Sequence, residues 1–170
     1  MAISDSDFLA SIANPVWGTF RKRGFFWSDL RLSVPNSDVY YYSFVSSSDK
    51  HTVIYGRNLA AGEGPVAMDL LFGATYTAGT PDPPINLFAG GPPCDAVFTN
   101  GCTDVSGGVV SNVDYLFSAG NNSAVAGSGG QPTIFPPDTE LLIRLTNTSA
   151  GNNPGIQLQL AFVEINIPDL

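Results

Sequence analysis

This chain has few charged residues, two cysteines and a single histidine. Charged residues make up 13% of its 170 residues, about half of the share in an average soluble protein. No apolar run approaches the length of about 20 residues that a membrane-spanning helix needs, so we expect no membrane partner. Residues 1–15 are acidic and lack the order of charged and apolar regions that marks a signal peptide, which predicts synthesis in the cytosol.

Motifs that carry catalysis or cofactor binding are also missing. The chain contains no G-x-S-x-G elbow, P-loop, D-x-D-x-D-G calcium loop or dinucleotide fingerprint. A serine triad would have to use His51, which follows the polar segment 46–50 and which we expect to be a solvated turn residue. The loop aspartates show no spacing that singles out a pair for glycoside hydrolysis, although loop oxygens would suit a calcium ion. We therefore predict no enzyme activity and no cofactor.

Cys94 and Cys102 leave two interpretations open. A disulfide between them would close a short loop and stabilise the fold by about 2.5 kcal/mol through loop entropy. Two free thiols are the alternative, which synthesis in a reducing cytosol favours. Two thiols and one distant histidine do not complete a structural zinc site, so we predict no metal.

The few charges are unevenly distributed. Residues 1–57 carry six basic and five acidic side chains, whereas residues 58–170 carry ten acidic side chains and only Arg144. This asymmetry is either chance in a charge-poor sequence or the mark of a near-neutral end that binds a partner and an acidic body that stays in water. Nucleic acid is an unfavourable partner, because phosphate contacts need a basic stripe and the chain has one basic triplet.

From residue 38 onward the chain alternates strand patterns with turns. Residues 38–45, 51–59 and 65–77 are rich in β-branched and aromatic residues. In the third segment, one face at period two carries Val66, Met68, Leu70 and Phe72. Residues 78–137 contain most of the 18 glycines and 13 prolines, and we expect these long loops to be ordered against neighbouring copies.

The last third of the chain carries the clearest alternation. Residues 140–147 and 156–165 each alternate apolar with other side chains, and a polar turn joins them. We predict a β-hairpin with one buried face. The predicted buried side chains are Leu141, Ile143, Leu145, Ile156, Leu158, Leu160 and Phe162.

These patterns predict an all-β fold, a jelly-roll-like β-sandwich of six to eight short strands over residues 36–170. Residues 1–35 are predicted to form a separate N-terminal arm with a short helix around residues 5–13. Within the arm, both tryptophans and three phenylalanines lie around the basic triplet. Its aromatic side chains either fill one end of the protein's own core or bind another subunit, because Trp, Phe and Arg are favoured interface anchors. The interface candidates are Trp17, Phe20, Arg21, Lys22, Arg23, Phe25, Phe26 and Trp27.

Residues 54–87 and 136–165 carry an ordered series of motifs. A strand ends in a G-x-x-Y-T-x-G-T turn, an Asn-Leu strand follows, and the chain closes on L-I-R-L-T-N and a strand that contains Phe and Glu. This pattern resembles small virion proteins of tailed bacteriophages. The chain has Phe88 and Ala89 where the pattern continues with Asn-Arg. The matching residues are Gly73, Thr75, Tyr76, Gly79, Thr80, Asn86, Leu87, Asp138, Thr139, Glu140, Arg144, Thr146, Asn147, Phe162 and Glu164.

The resemblance implies a head decoration (cement) protein, a β-sandwich that binds the outside of an icosahedral capsid. The implied partners are the major capsid protein and further copies of the chain, with a homotrimer expected before a homodimer. The implied location is the outer surface of the virion. The competing interpretation is a carbohydrate-recognition module of a phage tail or fibre, but the glycine-rich loops hold only Phe88, Phe98 and Phe135 as aromatic residues and no tryptophan.

Overall fold

The computed structural model describes residues 24–87, 89–113, 124–127 and 132–166. These residues form two antiparallel β-sheets that pack face to face, and none of them is helical. The prediction of an all-β sandwich is confirmed. The predicted short helix near the N-terminus lies outside the described residues.

The chain forms twelve strands in the described residues. Their bounds are β1 (Gly24–Val34), β2 (Val39–Val45), β3 (His51–Ala61), β4 (Val66–Thr77), β5 (Thr80–Pro81), β6 (Ile85–Asn86), β7 (Val97–Asn100), β8 (Thr103–Val113), β9 (Ala124–Gly127), β10 (Thr133–Phe135), β11 (Glu140–Asn147) and β12 (Asn153–Ile165).

The strand order is that of a jelly roll. Sheet A has the order β10-β3-β12-β1-β6, with β9 also pairing with β3, and sheet B has the order β5-β7-β2-β11-β4-β8. The first four long strands alternate between the sheets, so that β1 and β3 lie in sheet A while β2 and β4 lie in sheet B. The central strands β10-β3-β12-β1 and β2-β11-β4-β8 therefore make the two four-stranded sheets of a double Greek key.

The predicted terminal hairpin is wrong in its pairing, although its two strands and their buried faces are correct. β11 pairs with β2 and β4 in sheet B, and β12 pairs with β1 and β3 in sheet A. The turn between them crosses the sandwich, so the two apolar faces meet across the core instead of lying side by side. Leu145 and Leu158 are fully buried, whereas Gln157 and Gln159 are half-buried. The alternation of apolar and polar residues predicts which face of a strand is buried, but it does not predict which strand pairs with it.

Asn147 fixes the turn that crosses between the sheets. Its fully buried side-chain amide donates to the carbonyl oxygens of Val34, Pro35 and Gly151 at 3.0, 2.8 and 3.1 Å. Its carboxamide oxygen accepts hydrogen bonds from the backbone N–H and the hydroxyl of Ser149. One side chain thereby satisfies buried backbone groups from two parts of the chain.

Aromatic rings fill the core between the sheets at the end where β1 begins. Neighbouring ring centroids are 5.0 to 5.6 Å apart, within the range of favourable ring contacts. The contributing residues are Phe25, Trp27, Tyr42, Phe44, Phe98, Phe135 and Phe162.

Phe25 and Trp27 correct the predicted boundary of the sandwich. Both side chains are buried in this core, and β1 pairs with β12 along its length. Residues 24–34 therefore belong to the sandwich and not to a separate arm that ends at residue 35. For these two aromatics, the structure matches the alternative that they fill the protein's own core.

Candidate functional site

The second half of β1 reverses the usual orientation of polar and apolar side chains. Phe25 and Trp27 point into the core, and at the same period of two Asp29 and Arg31 also point between the sheets. Leu30 and Leu32 consequently lie on the outer face, with 55% and 70% of their surface exposed. A sandwich strand ordinarily buries the apolar set and exposes the charged one. This reversal produces two features, a neutral outer face and a polar cleft.

The neutral face is one part of the outer surface of sheet A, between β6 and β3; farther along the same side, Val53 and Val163 are buried. The register of the paired strands places the residues that alternate with the core residues on this face. None of the twelve residues that form it carries an ionisable side chain. The neutral face consists of Phe26, Ser28, Leu30 and Leu32 on β1, Ile85 on β6, Gly155, Gln157, Gln159 and Ala161 on β12, and Gly56, Asn58 and Ala60 on β3.

The neutral face is apolar at one end. Small residues on β12 and β3 leave room for the leucines, and a Cβ atom added to Gly155 would lie 3.7 Å from Leu32 and 3.9 Å from Leu30. Ile85, paired with Phe26 at the sheet edge, is 70% exposed. In the middle of the face, the Asn58 amide donates to the Gln159 carbonyl oxygen at 2.9 Å. Exposed apolar surface bordered by neutral amides is typical of a protein contact.

The outer face of sheet B differs because the chain covers it. β4 and β8 form a ribbon with bulges near residues 70–71 and 75–77, and Gly73 at its bend has a φ of 68° that favours glycine. Beyond the bend, Ala74, Tyr76 and Val105 pack on Leu142 and its neighbours. Leu142, which alternation alone would place on the surface, is 1% exposed.

Ionic and hydrogen-bonded pairs complete the outer face of sheet B. The Arg144 Nε donates to the Asp69 carboxylate at 2.7 Å, and Asp69 is buried. The Tyr76 hydroxyl donates to the Glu140 carboxylate at 2.6 Å. Burial, followed by this hydrogen bond, raises the pKa of Tyr76 to about 12. The outer face of sheet B is therefore charged, and these charged groups are paired with other side chains of the same face.

The polar cleft runs along the free edge of β1. In the described residues β6 pairs only with Phe25 and Phe26, so residues 28–31 of β1 have a strand partner on one side only. The cleft lies between this edge and the β5 and β7 region, and its volume is about 570 Å³. It is lined by Ser28, Asp29, Leu30, Arg31, Thr80, Pro81, Asp82, Asn100 and Gly101.

A hydrogen-bond network fixes the inner wall of the cleft. The Asp29 carboxylate accepts hydrogen bonds from Arg31 at 2.6 Å, from Tyr42 at 2.8 Å and from Asn100 at 3.0 Å. Arg31 also donates to the Asn100 carbonyl oxygen, and its guanidinium lies 5.1 Å from the centre of the Tyr40 ring. Burial raises the pKa of Tyr42, and the hydrogen bond to Asp29 raises it further. Tyr42 is therefore a neutral donor at ordinary pH.

The structure divides the predicted interface residues into three groups. Phe25 and Trp27 are buried in the core, so they do not face a partner. Phe26 lies on the neutral face. The other candidates lie outside the described residues, namely Trp17, Phe20, Arg21, Lys22 and Arg23.

The sequence interpretation missed Leu30, Leu32 and Ile85, which expose the most apolar surface on the neutral face. The alternation of side chains along β1 contained this information. It places Leu30 and Leu32 on the same face as Phe26 and Ser28, opposite to Phe25 and Trp27. Choosing the inner face required knowing that the cleft accommodates Asp29 and Arg31, and that information lies in distant strands.

Both cysteines are free thiols in the structure. Cys94 packs against the core between the sheets, while Cys102 lies in the cluster on the outer face of sheet B. Burial raises the pKa of the Cys94 thiol, and the carboxylate of Glu164 adds to this shift. Cys94 is therefore a poor nucleophile.

Several other kinds of site are absent from the described residues. No group of three or more His, Cys, Asp or Glu side chains is placed there to hold a metal ion. In the same part of the chain, no helix is long and apolar enough to cross a membrane.

Comparison with protein-family models, curated protein sequences and solved structures finds no match to this chain.

Proposed function

We propose that this protein is a head decoration (cement) protein, which binds the outside of an icosahedral phage head and stabilises the head against the pressure of packaged DNA. The neutral face is the observation that carries the proposal. It offers a protein partner exposed leucine and isoleucine side chains without any charge to desolvate. Charged residues are depleted at the centres of protein interfaces for the same reason.

The apolar end of the neutral face supplies the binding free energy. Complete burial of a leucine or isoleucine side chain contributes up to about 1.5–3 kcal/mol before the costs of association. Leu30, Leu32 and Ile85 are each more than half exposed, so a flat shell surface would gain most of this amount at each position. Because such a protein binds assembled shells and not separated subunits, it stabilises the assembly by mass action.

The N-terminal segment extends the proposed contact. Arg21, Lys22 and Arg23 directly precede Gly24, the first residue of β1. Phe26, two residues further on, already lies on the neutral face. In our proposal the basic triplet meets acidic groups of the shell and guides the approach, while the acidic remainder of the chain faces water.

Self-association is a further part of the proposal. Within residues 78–137, the side chains of Val97, Val109 and Val110 are exposed. We propose that copies on the head bury this surface against one another as homotrimers, with homodimers as the second choice. Sedimentation that finds only monomers at micromolar concentration, together with isolated single copies on the head, would contradict this part.

The described residues give less support to the alternative function, carbohydrate recognition. Sugar binding by stacking requires aromatic rings exposed in loops, and Phe98 and Phe135 are instead buried in the core. These two residues support the sandwich and are unavailable to a glycan.

Electron microscopy tests the decoration proposal directly. Heads of the encoding phage, prepared without this protein, should show additional density on their outer surface after the purified chain is added. Leu32→Glu should reduce occupancy at least tenfold, because it places a charge in the contact. Val39→Glu is the matched control, because Val39 is also exposed but lies on sheet B, and it should leave occupancy unchanged. Heads that gain no density with the wild-type chain would refute the proposal.

A further inference from the structure

Asp82 on the wall of the cleft is a carboxylate without a paired cation in the described part of the chain. Its Oδ2 atom accepts a hydrogen bond from the indole Nε1 of Trp27 at 3.0 Å. None of the ion pairs between described residues includes Asp82. Its half-buried position weakens the screening of its charge by water. The cleft therefore has one negative charge that its own residues do not balance.

The neighbouring charges in the cleft neutralise one another. Asp29 accepts three hydrogen bonds, one of them from the cation Arg31. This pair contributes no net charge, and its hydrogen bonds hold both side chains in place. The unbalanced charge of the cleft is therefore that of Asp82, and a ligand would meet a preorganised wall.

We infer that the cleft is a receptor site for an arginine side chain of a partner protein, and the choice of the shell protein as that partner rests on the proposed function. A guanidinium is planar and carries five N–H donors, which match the fork of a carboxylate. In the cleft it meets the Asp82 carboxylate and the hydroxyl groups of Ser28 and Thr80, which line the same space. Arginine is also enriched among the residues that dominate binding at protein interfaces.

Other occupants fit the cleft less well. Calcium takes six to eight oxygen ligands, whereas no set of three potential metal-binding side chains gathers anywhere in the described residues. An anion would approach the unbalanced carboxylate of Asp82 and be repelled. A neutral ligand would leave the charge of Asp82 uncompensated in a partly buried position.

The position of the cleft makes it continuous with the neutral face. Ser28 and Leu30 belong to the neutral face and also line the cleft. A partner that covers the neutral face can therefore extend one side chain around the free edge of β1. The apolar contact then supplies buried area, and the arginine fixes the orientation of the partner.

Trp27 provides a spectroscopic test that needs no shell protein. Because its indole N–H donates to Asp82, the indole resonance reports occupation of the cleft, and Trp17→Phe assigns that resonance. The probe is N-acetyl-arginine methylamide, and the matched neutral probe is the citrulline analogue. We expect a saturable shift of the Trp27 resonance with the arginine probe, at least a tenfold weaker response with the citrulline probe, and no saturable shift in Asp82→Asn. Equal responses to both probes, or no response to arginine, would overturn the inference.

The Asp82→Asn variant keeps an oxygen acceptor for Trp27, so it is expected to fold. Asp104→Asn is the matched control, because Asp104 is an exposed carboxylate on β8 of the other sheet, and it should respond to arginine as the wild type does. On phage heads, Asp82→Asn should bind at least fivefold more weakly at low salt. Equal head binding by wild type and Asp82→Asn overturns the inference but leaves the decoration proposal intact. A normal arginine response without any head binding refutes only the decoration proposal and the shell as the partner.

Discussion

The two outer faces of this sandwich differ in how far their apolar side chains are exposed. Each sheet carries apolar side chains on its outer side, Leu142 on sheet B and Leu32 on sheet A. On sheet B the chain folds its own β4–β8 ribbon over Leu142 and leaves it 1% exposed. On sheet A the described residues leave Leu32 70% exposed. Among the described residues, the chain thus covers the apolar side chains of one outer face and leaves Leu30 and Leu32 on the other exposed.

The largest expected effect is the loss of packing beneath the ribbon. Leu142→Ala should lower the free energy of unfolding by about 2–5 kcal/mol, because it opens a cavity among Leu71, Cys102 and Tyr76. Leu158→Ala, in the core between the sheets, should cost a similar amount. Urea denaturation followed by tryptophan fluorescence measures both. A cost below about 1 kcal/mol for Leu142→Ala would mean that the ribbon does not protect this face in solution.

The ion pair on sheet B should give the next largest effect. Arg144→Ala leaves the buried carboxylate of Asp69 without its two donors from Arg144 and should cost about 1–3 kcal/mol. Changing Asp69 to Asn in the same chain should recover part of that loss, because the unpaired charge is then gone. A double-mutant cycle in urea measures the coupling. Additive losses would show that the two residues do not interact.

Rising pH should destabilise both regions through their tyrosines. Burial raises the pKa of Tyr42 in the cleft and raises that of Tyr76 on the ribbon to about 12, whereas an unfolded tyrosine ionises near pH 10. Above about pH 10 the unfolded chain therefore binds fewer protons than the folded chain, so stability falls as the pH rises. Below pH 10 this contribution is fully present.

Tyrosine variants separate the two contributions to this pH dependence. Tyr76→Phe should reduce the slope of stability against pH between about 10 and 12, since one of the tyrosines whose pKa is raised by burial is removed. The remaining slope should come in part from Tyr42. Urea denaturation at a series of pH values measures the slope. An unchanged slope in Tyr76→Phe would place its hydroxyl in water and not beside Glu140.

The sequence predicts local features of this fold well and its long-range pairing poorly. The alternation in 140–147 and 156–165 identifies both strands and their buried faces, because a period of two is a property of each strand alone. It misplaces them in one hairpin, because pairing depends on β1, β2, β3 and β4, which lie far away in the chain. A short polar turn is compatible with a hairpin and equally with a crossing between sheets.

The candidate site fails to follow from the sequence for a related reason. In residues 25–32, the side chains alternate between two faces of the strand. One face carries Phe25, Trp27, Asp29 and Arg31, and the other carries Phe26, Ser28, Leu30 and Leu32. Both sets mix apolar and polar residues, so hydrophobicity alone does not select the inner face. Asp82 and Asn100, contributed by the loop after β5 and by β7, make the interior polar beside Asp29. Those partners are 50 or more positions away.

The smallest expected effect on stability is the one that most sharply tests the comparison of the two faces. Leu32→Ala should change the free energy of unfolding by no more than about 0.5 kcal/mol, as surface substitutions usually do, whereas Leu142→Ala removes the same atoms from sheet B at a cost several times larger. The same Leu32 variant should weaken binding to phage heads. A matched loss of stability at both leucines would show that the chain itself covers the outer face of sheet A in solution, and the neutral face would then be unavailable to a shell.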